Sequence, residues 1–107
     1  MWRPEVVAFA DAMEAKLRKN DHKGGWKKAP PMWLLNRLGE ETCELRTAVD
    51  LSLTSETRPN PQDILNEAAD VANFAMMLAD VMGALKPKPE PRMHSCDIPG
   101  CVSCGNP

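Results

Sequence analysis

Apolar residues recur at helical spacing in three stretches of the chain, separated by polar segments containing glycine or proline. In the first stretch Trp2, Val6, Phe9, Met13 and Leu17 fall about one turn apart, which predicts a helix from residue 4 to about residue 19. Pro4 suits its first turn, where a backbone N–H would lack an intrahelical partner in any case. Asn20-Asp21 and Gly24-Gly25 stop it. Leu34, Leu38, Leu45 and Val49 share a face of a second helix, over residues 32 to about 53. A short polar loop follows. The third helix is expected from Pro61 to about Leu85, with Asn60 as N-cap and Pro61 at the first helical position.

The third segment is apolar around most of its circumference. Ile64, Val71, Phe74, Leu78, Met82 and Leu85 cover one broad side, and Leu65, Ala72, Met76, Met77 and Val81 extend it. Such a helix needs cover on most sides. Two other helices of one short chain do not supply that cover, so the pattern predicts a second copy of the chain. The expected fold is all-α: an antiparallel helical bundle over residues 1–85, completed by oligomerisation, with an irregular Pro/Cys-rich tail over residues 86–107.

Composition narrows the class. The chain has 107 residues, enough for one small domain, and 43% hydrophobic residues, enough for a core. A net charge of −2 gives no global attraction to nucleic acid or to acidic membranes. The start, Met1-Trp2-Arg3-Pro4-Glu5, turns charged at once and does not resemble a secretion signal. No apolar run approaches the roughly 20 residues that span a bilayer. A cytoplasmic protein is expected, and its four cysteines read as thiols or metal ligands rather than disulfides.

Two acidic pairs break the apolar stripes: Glu41 with Glu44 on the second helix, and Glu67 with Asp70 on the third. Each pair has i,i+3 spacing, so both carboxylates leave one face of their helix. Two unit charges about 4 Å apart repel by roughly 4 kcal/mol at an effective dielectric near 20. Four converging carboxylates would therefore need protons or cations. One solution is pairing with Arg37, Arg46 or lysines on solvated faces. The other is a hard divalent ion such as Mg2+, with Mn2+ as a substitute, since such ions take oxygen ligands. No histidine lies near either pair, which argues against a zinc-type site there.

Ahead of the second helix lies a basic loop in which Lys23, Lys27 and Lys28 surround Gly24, Gly25 and Trp26. Lysines bind phosphate as flexible point charges, and Trp26 and Trp33 could stack on a base. The loop lacks the G-x-x-x-x-G-K-[ST] pattern of a P-loop.

With Glu40-Glu41-x-x-Glu44 on one helix and Glu67-x-x-Asp70 on the next, the chain resembles the MazG-like all-α nucleoside triphosphate pyrophosphohydrolases. The Lys-Gly-Gly-Trp loop and Asp70-Val71-Ala72-Asn73-Phe74-Ala75 add to the likeness, which covers roughly residues 5 to 85 and is nearest to the short, phage-type, single-domain members. The resemblance implies a homodimer or homotetramer that cleaves a (deoxy)nucleoside triphosphate to the monophosphate and pyrophosphate with Mg2+. It implies Glu41, Glu44, Glu67 and Asp70 as metal ligands and Glu40 as the neighbouring motif acid that orients or activates water. It also implies Asn73 at the sugar or base and Lys23 and Lys27 at the phosphates; Trp26 joins these as a substrate-binding candidate. Neither a membrane nor a nucleic-acid partner is expected.

The tail has no counterpart in that resemblance. Lys86-Pro87-Lys88-Pro89-Glu90-Pro91 reads as an extended linker. After it, His94, Cys96, Cys101 and Cys104 offer four possible Zn2+ ligands, with Pro99-Gly100 as a turn. The competing functional reading is accordingly a non-enzymatic helical interaction module with a zinc-knuckle tail. Thermal stabilisation by Mg2+, greater with nucleotide, separates the two, because the interaction module predicts neither effect.

Overall fold

A computed structural model describes residues 1–54 and 60–85, and everything structural below concerns those residues. The linker from residue 86 and the tail with His94, Cys96, Cys101 and Cys104 lie outside the described residues. Three helices make up the fold: α1 (Pro4–Lys19), α2 (Pro31–Thr54) and α3 (Pro61–Val81). A single 3-10 turn, Asp21–Lys23, follows α1. The described residues are all-α, as the apolar periodicity predicts.

The helix ends follow local chemistry. Arg3 is extended and Pro4 opens α1; the Val7 N–H donates to the Arg3 carbonyl at 3.1 Å. At the other end Asn20 closes the helix, its amide Nδ2 donating to the Lys16 carbonyl at 3.3 Å. Lys16, Arg18 and Lys19 fill the last turn, where the helix dipole favours cations. Asn60 caps α3, its Oδ1 accepting from the Gln62 N–H at 2.9 Å, and Pro61 takes the first helical position.

The C-terminus of α3 differs from the sequence reading. The helix stops at Val81 rather than continuing to Leu85. Gly83 has φ of 85°, a left-handed conformation that favours glycine. Its N–H donates to the Asp80 carbonyl, and the Ala84 N–H reaches back to the Ala79 carbonyl. That pair of bonds is a Schellman turn, which ends a helix by satisfying carbonyls that have no further turn above them. Met82 and Leu85 continue the apolar spacing past the stop, so periodicity alone overruns the end.

α3 is the central element. α1 and α2 each pack on it, and neither packs on the other. The contacts give both pairings their direction. Lys16 meets Asp70 and Met13 meets Asn73, while Arg37 meets Phe74 and Glu41 meets Asp70. Later residues of α1 and α2 thus face earlier residues of α3, and both pairs are antiparallel.

The interior holds little apolar material. Leu34 and Ala69 are the fully buried apolar side chains among the described residues, and Glu41 and Asn73 are buried beside them. Large apolar side chains remain exposed on or beside α1 and α2 and just after α3, among them Trp2, Val6, Leu51, Leu53, Met82 and Leu85. A carboxylate in so small an interior is costly unless partnered, which directs attention to Glu41.

Candidate metal centre

α2 delivers Glu41, and α3 delivers Glu67 and Asp70, to one point between the two helices. One carboxylate oxygen from each lies within 4.8 Å of the others. Glu41 is only 5% exposed. Its Oε2 accepts from Arg37, one turn earlier, at 3.0 Å. The same guanidinium donates to Glu40 and lies over the Phe74 ring, 5.0 Å from its centroid. On the other side of the trio, Lys16 of α1 places Nζ 3.3 Å from Asp70 Oδ1. Glu67 has no such partner: its Oε1 is buried and unbonded.

The electrostatics follow. Burial pushes the Glu41 carboxyl above its ordinary range, the nearby Glu44 and Asp70 charges push the same way, and Arg37 opposes them. The Glu67 carboxyl is also raised, by burial and then by Glu44 and Asp70, with Lys16 opposing. In both, the cations do not offset burial and the surrounding negative charge. The donor set is entirely carboxylate oxygen, and one buried oxygen lacks any donor. Those features suit a hard divalent cation, which takes oxygen ligands.

The other motif acids sit outside the trio. Glu44 is exposed, one turn after Glu41, and its charge is felt by both Glu41 and Glu67. It shares with Glu67, Cys43 and Leu51 a shallow groove of about 420 Å3. Glu40 is exposed and tied to Arg37.

Beside the trio opens a cavity of about 490 Å3 between α1, α2, α3 and the basic loop. Glu41 and Asp70 form its acidic wall; Lys16, Lys23 and Arg37 bring cations; Trp26, Trp33 and Phe74 bring aromatic rings. Its size falls within the ordinary range of small-molecule sites. Gly24, with φ of 99°, turns the loop at the rim.

A single carboxylate holds that loop down. Asp80 Oδ2 accepts from the Trp26 indole N–H at 2.8 Å and from Lys27 Nζ at 2.6 Å. These bonds hold the Asp80 carboxyl below its ordinary range, the Lys27 bond contributing most and the Trp26 bond next. Lys27 also stacks over Trp26, 5.4 Å from the ring centroid.

Of the substrate-binding candidates, Lys23 and Trp26 line the cavity, whereas Lys27 is engaged with Asp80. Asn73 lies in the α1–α3 interface, buried, its Nδ2 donating to the Met13 carbonyl at 3.1 Å. The sequence reading did not single out Lys16, Phe74 or Asp80 for the site. Lys16 carried a faint signal, one place before Leu17 at the edge of the first apolar stripe. Asp80 carried none, because its partners are 53 and 54 residues away.

No protein-family model, no curated protein and no solved structure matches this chain.

Proposed function

We propose that the protein is a magnesium-dependent nucleoside triphosphate pyrophosphohydrolase of MazG-like type, cleaving a (deoxy)nucleoside triphosphate to the monophosphate and pyrophosphate. The observation that carries this reading is the convergence of Glu41, Glu67 and Asp70, two of which, Glu41 and Asp70, line a cavity that also carries cationic and aromatic side chains. A triphosphate needs cations, a base needs a flat ring, and both are present within one enclosure.

Glu41, Glu67 and Asp70 would hold the divalent ion, with Glu44 adding negative charge from the adjacent turn. An ion bound there supplies charge compensation for phosphate oxygens and lowers the pKa of a coordinated water. Lys23 and Arg37 would draw the phosphates into the cavity, and Trp26, Trp33 and Phe74 would offer faces to the base. Glu40 steadies the Arg37 guanidinium, so its contribution is orientation. Asn73 and Lys27 act through structure: one fastens α1 to α3, the other fastens the loop. No covalent nucleophile is required by this scheme.

The proposal includes a homodimer or homotetramer, supported by the scant buried apolar core and the large apolar side chains exposed on α1, on α2 and just after α3. Among the described residues no helix is long and apolar enough to cross a membrane, and an enzyme of this kind would act on cytoplasmic nucleotide pools. Incubation with Mg2+ or Mn2+ and a panel of canonical and modified (d)NTPs tests the activity. Release of pyrophosphate and a monophosphate from at least one nucleotide is expected. Orthophosphate alone, or no turnover across the panel, would overturn the reading.

A further inference from the structure

Lys16 is the counter-charge that most directly touches the acidic trio from another helix. Its Nζ is 3.3 Å from Asp70 Oδ1, its side chain is 25% exposed, and it lines the 490 Å3 cavity. Its backbone is held in register by the Asn73–Met13 hydrogen bond, one turn away on both helices. The other cation at the trio, Arg37, is committed three ways, to Glu40, to Glu41 and to the face of Phe74. Lys16 has one ion-pair partner, and an ammonium on a flexible four-carbon stem reorients readily. If it left Asp70 it would still face an open cavity, in the last turn of α1 where the helix dipole favours a cation.

We infer that Lys16 is a resident counter-ion of the metal centre, neutralising Asp70 while no divalent ion is bound and displaced from it when one binds. The inference rests on the metal-site reading above. In this role Lys16 is a positioning residue that sets metal affinity. It keeps the trio from being strongly over-charged in the metal-free protein, and it competes with the incoming ion for Asp70. The unbonded Glu67 Oε1 fits such an arrangement: Arg37 reaches Glu41 and Lys16 reaches Asp70, and neither donates to that oxygen.

The test is Mn2+ binding to the full chain without nucleotide, followed by the loss of the free-ion electron paramagnetic resonance signal. K16M is expected to bind Mn2+ about fivefold or more tightly than wild type, a coupling at the lower end of the usual range between two linked sites. K16R, which keeps the charge, is expected to restore wild-type affinity. In the metal-free state K16M is expected to melt lower than wild type, and to gain more from Mn2+. A purely structural lysine would lower the melting point without tightening Mn2+. K16Q provides the same comparison should K16M fail to fold. Wild-type binding with equal or weaker binding by the neutral variants would overturn the role of Lys16 alone. A folded wild-type protein that binds no Mn2+ at millimolar concentration would overturn the metal centre, and this inference with it.

Discussion

Two places in the molecule bring carboxylates and cations together, and they differ in charge balance. At Asp80 a single carboxylate accepts from Lys27 and from the Trp26 indole, and its pKa is lowered. At the acidic trio three carboxylates have Arg37 and Lys16 as their cations, and burial and neighbouring charge raise the pKa of Glu41 and Glu67. The first arrangement is saturated and needs nothing more. The second retains negative charge that the protein's own cations leave uncompensated. Residue type alone does not separate the two arrangements; the balance of donors and acceptors does.

That contrast fails most visibly if the trio is only a second fastening. Glu41→Gln and Asp70→Asn are expected to lower magnesium-dependent pyrophosphate release by about 100-fold or more, the scale of losing a group that acts on transition-state charge. The metal-free E41Q protein is expected to melt no lower than wild type, since one repulsive charge is gone while Arg37 keeps Glu40. Steady-state kinetics and calorimetry on the same preparation check both outcomes. Near-normal turnover in either variant would break the assignment.

The fastening should behave differently. Asp80→Ala frees Trp26 and Lys27 together, loosening the wall of the cavity while the trio stays intact. A severalfold rise in KM with kcat held is expected, the mark of binding lost equally in ground and transition states. The Trp26 indole should also move to a wetter environment, shifting tryptophan emission to longer wavelength. A fall in kcat at unchanged KM would move Asp80 into the chemistry.

The smallest effect is the pH dependence of metal-free stability, where the two regions have opposite signs. Glu41 and Glu67 have raised pKa values, so over the range above 4.5, their ordinary value, the native state holds protons that the unfolded chain has released. Stability therefore falls as pH rises through that window toward neutrality. Asp80 is lowered from 3.8, so its contribution is complete above that value and is lost as pH falls through the lowered pKa. Melting temperatures in chelator are expected to peak in mildly acidic buffer and decline toward neutrality. Glu67→Gln should flatten the decline, and Mg2+ should offset it at neutral pH. A profile that rises steadily to neutrality in chelator would contradict the charge balance described above.

Much of the fold was legible because helix periodicity and end signals are local. Pro4, Asn60 and Pro61 marked starts that the structure keeps. The end of α3 was less legible, since Met82 and Leu85 prolong the apolar stripe while Gly83 turns the backbone away. At the site, i,i+3 spacing identified the acids, and Glu40 and Glu41 stand at i+3 and i+4 from Arg37, where a pairing is readable on one helix. The rest depended on contacts between helices. Lys16 reaches Asp70 only because α1 lies antiparallel to α3, and Trp26 reaches Asp80 across more than half the chain. Spacing along one helix did separate the first pair: Glu41 falls inside the apolar stripe between Leu38 and Leu45 and Glu44 on its flank, and Glu41 is buried while Glu44 is exposed.

α3 carries Asp70 at the acidic wall and, ten residues later, Asp80 beneath Trp26. A helix rises about 1.5 Å per residue, so these two carboxylates stand roughly 15 Å apart along its axis. The helix is thus a ruler laid beside the cavity, with the acidic trio at one mark and the indole at the other. A molecule too short to bridge the marks could engage one end only. Inserting a single residue between them would swing Asp80 by about 100° around the axis and release the loop. For the nucleotide proposed above, the spacing of the helix would therefore set the length of molecule that engages both ends.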